Sequence, residues 1–459
     1  MADFSGKKAT LIGLARTNIS LARFLVNQGA EVTFSDRKNH EELREEVELV
    51  QDLPVRLSLG GNRDKDIVRA DVIFVTPGAS RSIPCLVLAQ NKGIPISSEI
   101  ELLFELCPAP IIAITGSSGK TTTTTLVGEI LHADGCHVLV GGNIGTPMID
   151  RLGELGPDSI VVLELSSFQL EFMERSPRIA AVTNITPNHL DRHVTFDAYV
   201  EAKKNIVRYQ KPGDSAILNL DDPMSCSLTP DVQGNVLFFS RSSEVREGAF
   251  LRDGTIMLRY AGFERPVVAI NELGLRGMHN VENAMAATAI AIAAGTRISS
   301  IGSTLRTFTG VEHRIEPVCE SGGVRYYNDS IATTPERTIA GLRSFDEPIV
   351  LIAGGKSKHL PLDVMIEEIR DRVRCLILVG ELGHEIDEAI AVGGLKGLPE
   401  KHWLPTMAEA AARAVQVAVT GDVVLLSPGG TSFDEFRDFE DRGNKFKQIV
   451  RKLVGGCKD

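Results

Sequence analysis

The sequence predicts an α/β protein in three domains, each built around a sheet whose strands run mainly parallel. Three observations carry that reading. The chain's 459 residues exceed what one hydrophobic core usually serves. Apolar, β-branched runs alternate with helix-like stretches before residue 98 and again beyond residue 310, the pattern of parallel strands joined by crossover helices. Between those regions an apolar run enters a glycine turn and a helix start, Ile111-Ile112-Ala113-Ile114-Thr115-Gly116-Ser117-Ser118-Gly119-Lys120-Thr121-Thr122.

In the first domain, residues 1–98, strands are predicted at 9–14, 31–34 and 72–75, with a helix at 19–28. Gly13-Leu14-Ala15-Arg16-Thr17-Asn18 sits where a dinucleotide fold carries G-x-G-x-x-G, but only its first glycine is present, which speaks against a redox cofactor. Asp36, closing the second strand, reads either as a contact to the ribose or base of a nucleotide-like ligand or as a solvated loop acid. Ser98-Glu99-Ile100-Glu101 opens a capped helix, and Cys107-Pro108-Ala109-Pro110 is a stiff connector into the next domain's first strand.

The second domain, residues 99–310, holds the glycine turn. Strand, turn and helix start make a phosphate cradle. Backbone N–H groups point inward, the helix N-terminus adds partial positive charge, Lys120 reaches the terminal phosphates and the Thr121 hydroxyl ligates Mg²⁺. The match is to a short G-x-x-G-K-T form, because Ile114 stands where the longer pattern has glycine. A strand at 159–165 carries Glu164 at its end, where a carboxylate in apolar surroundings is costly unless paired. Beside a phosphate loop, such an acid is the natural second Mg²⁺ ligand; the other reading is an acid that emerges at the strand end into solvent.

A strand at 179–184 then runs into Thr186-Pro187-Asn188-His189-Leu190-Asp191-Arg192-His193. His189 and His193 have zinc-like spacing, but Leu190 replaces the glutamate of H-E-x-x-H and Pro187 favours a loop, so a single histidine near Mg²⁺ or substrate is the better reading. The amphipathic helix at 196–208 bears Lys203 and Lys204, at least one of them solvated. Short strands between 231 and 275, turning at Asp253-Gly254 and Ala261-Gly262, form a small β excursion. Asn280 suits the N-cap of a small-residue helix at 281–294, and its amide could equally face a purine.

The third domain, residues 311–459, has predicted strands at 324–327, 349–353, 375–379 and 423–426. Two of them end in glycine loops, Gly354-Gly355-Lys356-Ser357-Lys358 and Ser427-Pro428-Gly429-Gly430-Thr431-Ser432, at the strand ends where open α/β sheets bind ligands. Ser432, with Glu435 three residues on, also reads as a helix cap.

Composition narrows the function classes. A net charge of −11 with no long basic run argues against a nucleic-acid partner. The longest small, apolar run, 284–294, is too short for a membrane span, and Arg16 interrupts the first apolar stretch, which makes a poor secretory signal. Seven widely spaced cysteines without a C-x-x-C pair read as reduced thiols in a cytoplasm. Small-molecule partners and a monomer are separate expectations, which the cysteines do not decide.

Taken in order, the phosphate loop, the acidic strand end, N-H-L-D-R-H, Y-V-E-A-K, G-M-H-N, E-H-R, N-D-S and S-P-G-G-T-S-F-D-E-F resemble the Mur ligases, ATP-dependent amide-bond-forming enzymes of peptidoglycan precursor synthesis. The resemblance spans the whole chain. It implies a Rossmann-like N-terminal domain binding a UDP-linked substrate, a P-loop ATPase-like central domain binding ATP, and a Rossmann-like C-terminal domain binding an amino acid. Ser98-Glu99-Ile100-Glu101, Gly141-Gly142-Asn143-Ile144-Gly145 and Glu164-Leu165-Ser166-Ser167-Phe168-Gln169 favour the branch that adds D-glutamate to UDP-N-acetylmuramoyl-L-alanine through an acyl phosphate.

By that resemblance, Gly116, Ser117, Ser118, Gly119, Lys120, Thr121 and Thr122 cradle ATP. Thr121, Glu164, His189 and Lys203 hold Mg²⁺, and with Lys120 the last three are the catalytic set. Lys203, four residues after Tyr199, matches a lysine the family carries as a carbamate; Lys204 is its rival by counting from His189, and the Tyr199 anchor decides between them. Asn280 and Asn283 match adenine-side contacts, and Arg314 and Asp329 match contacts to the nucleotide from the third domain. Asp36 and Arg37 align with uridine-side contacts, Asn143 and Ser166 fall on the substrate side, and Thr333, Lys358, Ser432 and Phe439 match the amino-acid pocket. Because separate domains would grip the ligands, closure is expected with ATP binding.

Two departures stand out. Ser118 replaces the asparagine usual in T-G-x-N-G-K, and Ile331 stands where many relatives have lysine, which removes a charge and leaves the handedness of the glutamate open. The rival readings are another Mur ligase, a folylpolyglutamate synthase, or, from a different class, a nucleotide switch that hydrolyses ATP without an acceptor amine.

Overall fold

The computed structural model describes residues 3–77, 79, 83–143, 147–188, 190–193, 195–393, 399–432 and 434–455. It divides into two compact units, Met1–Leu273 with Met278–Thr307, and Gly274–Gly277 with Phe308–Asp459.

The first unit holds two sheets. One is five-stranded and wholly parallel, in the order Arg56–Ser58, Glu31–Ser35, Lys8–Ile12, Val72–Val75, Ile96–Ser98. Its central strand, Lys8–Ile12, is buried at every residue after the first, as a strand covered on both faces must be. The two outer strands, three residues each, are too short to show a hydrophobic period, and the sequence did not reveal them. Helix Glu99–Leu106 follows with Ser98 as its N-cap, the Ser98 hydroxyl accepting from Glu101 N–H at 3.2 Å.

The other sheet of this unit has nine strands. Seven run parallel, from His137–Gly142 through Ser159–Glu164, Ile111–Thr115, Ile179–Val182, Ser215–Asn219 and Asn235–Ser240 to Gly248–Arg252. Thr255–Tyr260 and Phe263–Ala269 then close it antiparallel. Both hairpin turns, Asp253-Gly254 and Ala261-Gly262, place two successive residues at positive φ, which matches the right-handed twist of the flanking strands. The short strands foreseen between 231 and 275 therefore extend the central sheet.

Helix Met278–Ala293 is almost entirely buried, and its small residues let it lie against helix Lys120–Ala133. It begins at Met278, so Asn280 is not the expected cap. It sits within the first turn, where its Oδ1 accepts from Asn283 Nδ2 at 3.0 Å.

The second unit is built on one six-stranded sheet. Glu316–Ser321 pairs antiparallel with Val324–Asn328, and Val423–Gly429, Ile349–Gly354, Val373–Val379 and Glu400–Trp403 continue in parallel. Leu351, Leu378 and Leu425 pack on helix Asp363–Arg372 on one face; Val350, Ile377 and Val424 pack on helices Met407–Val417 and Phe439–Val454 on the other. The chain thus leaves two neighbouring strands, Ile349–Gly354 and Val423–Gly429, in opposite directions, and a crevice forms outside their carboxyl ends. The helix expected to start at Ser432 starts at Phe439, with Asp438 as its cap accepting from Asp441 N–H at 2.8 Å. Glu435 instead accepts from Met407 N–H at 3.0 Å. Among the described residues, no helix is long and apolar enough to cross a membrane.

Candidate active site

Strands Ile111–Thr115, Ser159–Glu164 and Ile179–Val182 are neighbours in one parallel sheet, so Gly116, Glu164 and Thr183 emerge side by side at their carboxyl ends. The turn after the first strand leads directly into helix Lys120–Ala133, whose first N–H groups have no partner within the helix. Gly119 has φ +80°, and a Cβ there would stand 2.3 Å from Asn283 Oδ1, so only glycine fits.

The loop is latched from the third strand. Thr183 Oγ1 donates to Ser118 O at 2.6 Å, Asn184 Oδ1 accepts from Ser118 N–H at 2.9 Å, and Ser117 N–H donates to Asn184 O at 2.9 Å. These contacts hold Ser118 through its main chain, so the turn keeps its shape with serine in place of asparagine. Ser117 Oγ also lies 2.9 Å from the Tyr199 hydroxyl.

Six of the expected residues converge here. Lys120 Nζ folds over the loop and donates to Gly116 O at 2.9 Å and Ser117 O at 3.2 Å. Thr121 Oγ1 donates to Glu164 Oε2 at 2.7 Å, and Asn143 Nδ2 donates to the other oxygen, Oε1, at 3.0 Å. Lys203 is buried, its Nζ donating to Gly116 O at 2.9 Å and Thr115 Oγ1 at 3.1 Å and lying 4.8 Å from the Tyr199 ring. Burial, reinforced by the neighbouring Lys120 charge and opposed by Glu164, holds that amine well below the usual lysine range. Lys204, one residue on, points the other way and pairs with Asp231 at 2.9 Å. Asn283 lies against the loop, its Oδ1 accepting from Thr123 Oγ1 at 3.3 Å.

A hydroxyl and a carboxylate 2.7 Å apart are the hard oxygen donors that Mg²⁺ takes, and the glycine turn on a helix N-terminus suits a polyphosphate, so the residues present fit a magnesium nucleotide. His189 lies outside the described residues. His193 is buried instead in packing, its Nε2 2.9 Å from Ser167 Oγ and its ring stacked on Phe168 at 5.1 Å.

The remaining sites are more varied. Ser166 caps the short helix Ser167–Leu170 in a reciprocal box with Gln169. Asp36 joins its own loop to the one after strand Lys8–Ile12, accepting from Lys38 N–H at 2.9 Å and Leu14 N–H at 2.8 Å, while Arg37 is exposed. In the second unit, Asp329 is buried, with Oδ2 accepting from Ser427 Oγ at 2.7 Å and Oδ1 from Ile315 N–H at 3.2 Å. Burial pushes its carboxyl up to about 7 against those hydrogen bonds and the nearby Arg314. Phe439 O accepts from Ser330 Oγ at 2.7 Å, and its ring meets His313 edge-on. Thr333 is half-buried and Ser432 buried, whereas Lys358 is exposed, its amine shifted down by partial desolvation and by Arg337.

Sequence reasoning missed the latch residues Thr183 and Asn184, whose only signal was a polar pair ending an apolar strand. It also missed Arg442. That buried guanidinium donates to Ser330 Oγ (2.9 Å), Ser330 O (2.8 Å) and Gly430 O (3.1 Å), and so ties the loop after strand Val324–Asn328 to the loop after strand Val423–Gly429.

Three family models match the chain. The Mur ligase MurD-like N-terminal domain matches residues 7–98, the Mur ligase middle domain residues 114–291, and the Mur ligase glutamate ligase domain residues 313–430. The chain belongs to the Mur ligase family. The UDP-N-acetylmuramoylalanine--D-glutamate ligase of Symbiobacterium thermophilum is 44% identical over 97% of this chain and 98% of its own length. The protein of that name in Acetivibrio thermocellus is 42% identical over 97% of each. Among solved structures, the UDP-N-acetylmuramate-alanine ligase MurC of Thermotoga maritima aligns with a TM-score of 0.59 at 18% identity, covering 97% of this chain and 99% of that one. MurF of Acinetobacter baumannii aligns with a TM-score of 0.57 at 18% identity, covering 90% and 88%. Both show the Mur ligase fold.

Proposed function

We propose that this chain joins D-glutamate to UDP-N-acetylmuramoyl-L-alanine in peptidoglycan precursor synthesis, using ATP, as a cytoplasmic monomer. The observation that carries the reading is the meeting of Lys120, Thr121, Glu164 and Lys203 at the ends of adjacent strands. The near-complete alignment with D-glutamate ligases supports the choice of amino acid.

When bound, ATP with Mg²⁺ supplies the phosphoryl group that turns an inert carboxylate into an acyl phosphate. Lys120 would exchange its loop carbonyls for phosphate oxygens, and Thr121 and Glu164, with His189, would hold the metal. Asn143 keeps the Glu164 carboxylate oriented. Asn280 and Asn283 face the adenine side. On this reading residues 1–98 take the UDP-linked substrate through Asp36 and Arg37, residues 99–310 take the nucleotide, and residues 311–459 take glutamate through Thr333, Lys358, Ser432 and Phe439, with Arg314 and Asp329 contacting the nucleotide.

Lys203 would carry a carbamate. Its amine is buried and shifted toward the neutral form, the form that attacks CO₂; the new N–C bond releases one proton and leaves an anionic oxygen donor near Thr121 and Glu164.

The test is phosphate release from ATP with UDP-N-acetylmuramoyl-L-alanine, offering D-glutamate, L-glutamate or neither. Release that depends on D-glutamate is expected. Release indifferent to both amino acids overturns the reading, and dependence on L-glutamate alone overturns its stereochemical part.

A further inference from the structure

One cluster of metal-ligating side chains lies away from the site just described. Strand Val373–Val379 pairs in parallel with the outermost strand Glu400–Trp403, Cys375 standing opposite Glu400. Alternation puts His402, two residues on, on the same face of the sheet. One ligand atom from each of Cys375, Glu400 and His402 lies within 4.8 Å of the other two, and Glu400 Oε1 is 2.9 Å from His402 Nε2.

The surroundings suit a bound ion. The Cys375 thiol is wholly buried in the core under helix Met407–Val417, the His402 side chain is 19% exposed, and the Glu400 side chain is 58% exposed. The cluster has a dry floor and an open mouth. On its other side Cys375 pairs with Val350, near the start of strand Ile349–Gly354, whereas the loops at 354–358 and 427–432 leave the opposite end of the sheet.

We propose that Cys375, Glu400 and His402 bind a thiophilic divalent cation, zinc above all, and so clip the edge strand to its neighbour. A thiolate, an imidazole and a carboxylate are zinc's preferred donors, and a tetrahedral centre with its usual bond lengths spaces them roughly 3.3–3.6 Å apart. Small rotamer changes on a solvent-facing strand achieve that spacing, and water completes the fourth position. Magnesium, which takes hard oxygen donors, is a poor match.

The nearby charges permit it. Arg413 Nη2 is 3.4 Å from His402 Nε2 and must yield that contact, while Arg374 is held by Asp422. Thiolate and carboxylate together neutralise the incoming ion; with the thiol proton released, the donor set passes from one negative charge to zero, so no net positive centre forms beside Arg413. Burial, helped by Glu400, pushes the metal-free Cys375 thiol up, against the pull of Arg374 and Arg413, so the ion must displace the thiol proton and binding strengthens as pH rises.

The test uses the full chain, stripped with chelator and titrated with Co²⁺. A thiolate-to-cobalt charge-transfer band in the near ultraviolet, saturating at one equivalent and displaced by Zn²⁺, is expected. Cys375→Ser abolishes the band, and His402→Ala, checked for folding by its thermal melt without metal, weakens Co²⁺ binding at least ~100-fold. Zn²⁺ raises the melting temperature of the parent chain and leaves that of His402→Ala unchanged. Absence of the band, its persistence in Cys375→Ser, or equal Co²⁺ affinity in His402→Ala overturns the proposal.

Discussion

Substituting methionine for Lys203 separates catalysis from folding. Methionine keeps most of the apolar stem against Tyr199 and removes the nitrogen. The two acceptors it leaves are not orphaned, since Gly116 O still accepts from Lys120 Nζ at 2.9 Å, and Thr115 Oγ1 still donates to Leu165 O at 2.7 Å. A buried amine held below its normal protonation range also opposes folding at neutral pH, because the folded chain binds that proton more weakly than the unfolded chain does. The melting temperature of Lys203→Met is therefore expected to equal or exceed that of the parent. The rate behaves differently. Removing one preorganised charge-stabilising group from a closed site costs about 3–4 kcal/mol, on the order of 10²–10³ in turnover. Lys204→Met is the control. Its ion pair with Asp231, both side chains about a quarter exposed, is worth ~0.2–1 kcal/mol, so stability falls slightly and turnover stays within about twofold. Phosphate release at saturating ATP and UDP-N-acetylmuramoyl-L-alanine, read beside thermal melts, decides the matter. Equal losses of rate in the two variants, or a collapse of the Lys203→Met melt, would refute the assignment.

Two further outcomes follow from buried geometry. Gly119→Ala forces a left-handed residue, at ~1–2 kcal/mol, and drives its methyl into Asn283 Oδ1; we expect the KM for ATP to rise at least tenfold with folding retained, and an unchanged KM would sink the cradle. Glu99, buried with one oxygen accepting from Ile149 N–H at 3.1 Å, has its carboxyl raised by desolvation, aided by Asp150, to about 7. Its folded value lies above the unfolded one, so its contribution to stability is complete below about pH 4.5 and lost as pH rises through about 7, a span worth about 3 kcal/mol. Glu99→Gln keeps the Ile149 bond and should melt above the parent at pH 8 but not at pH 4; parallel melting curves across that range would contradict this.

Which parts of the fold and site were legible follows from how far apart in sequence the interacting atoms lie. The phosphate cradle is contiguous, so turn, lysine and threonine are read in one window. Helix Phe196–Arg208 is likewise local. Tyr199, Ala202, Lys203 and Ile206 share its buried stripe while Lys204 falls outside it, which agrees with the choice of Lys203 that the Tyr199 anchor made. By contrast, the Thr183 and Asn184 latch reaches back across 65 and 66 residues to Ser118, and Arg442 bridges 112 residues to Ser330, so no local pattern announces either.

Helix starts failed for a related reason. Asn280 and Ser432 both have capping chemistry, but caps are chosen by where the chain turns, and the helices begin at Met278 and at Phe439, the latter with Asp438 as its cap. Strand Glu400–Trp403 shows the same limit. Glu-Lys-His-Trp has no apolar alternation, and only hydrogen bonding to Val373–Val379 makes it a strand. That pairing is what sets Glu400 beside Cys375, so the register of one edge strand creates a donor set that neither segment encodes alone.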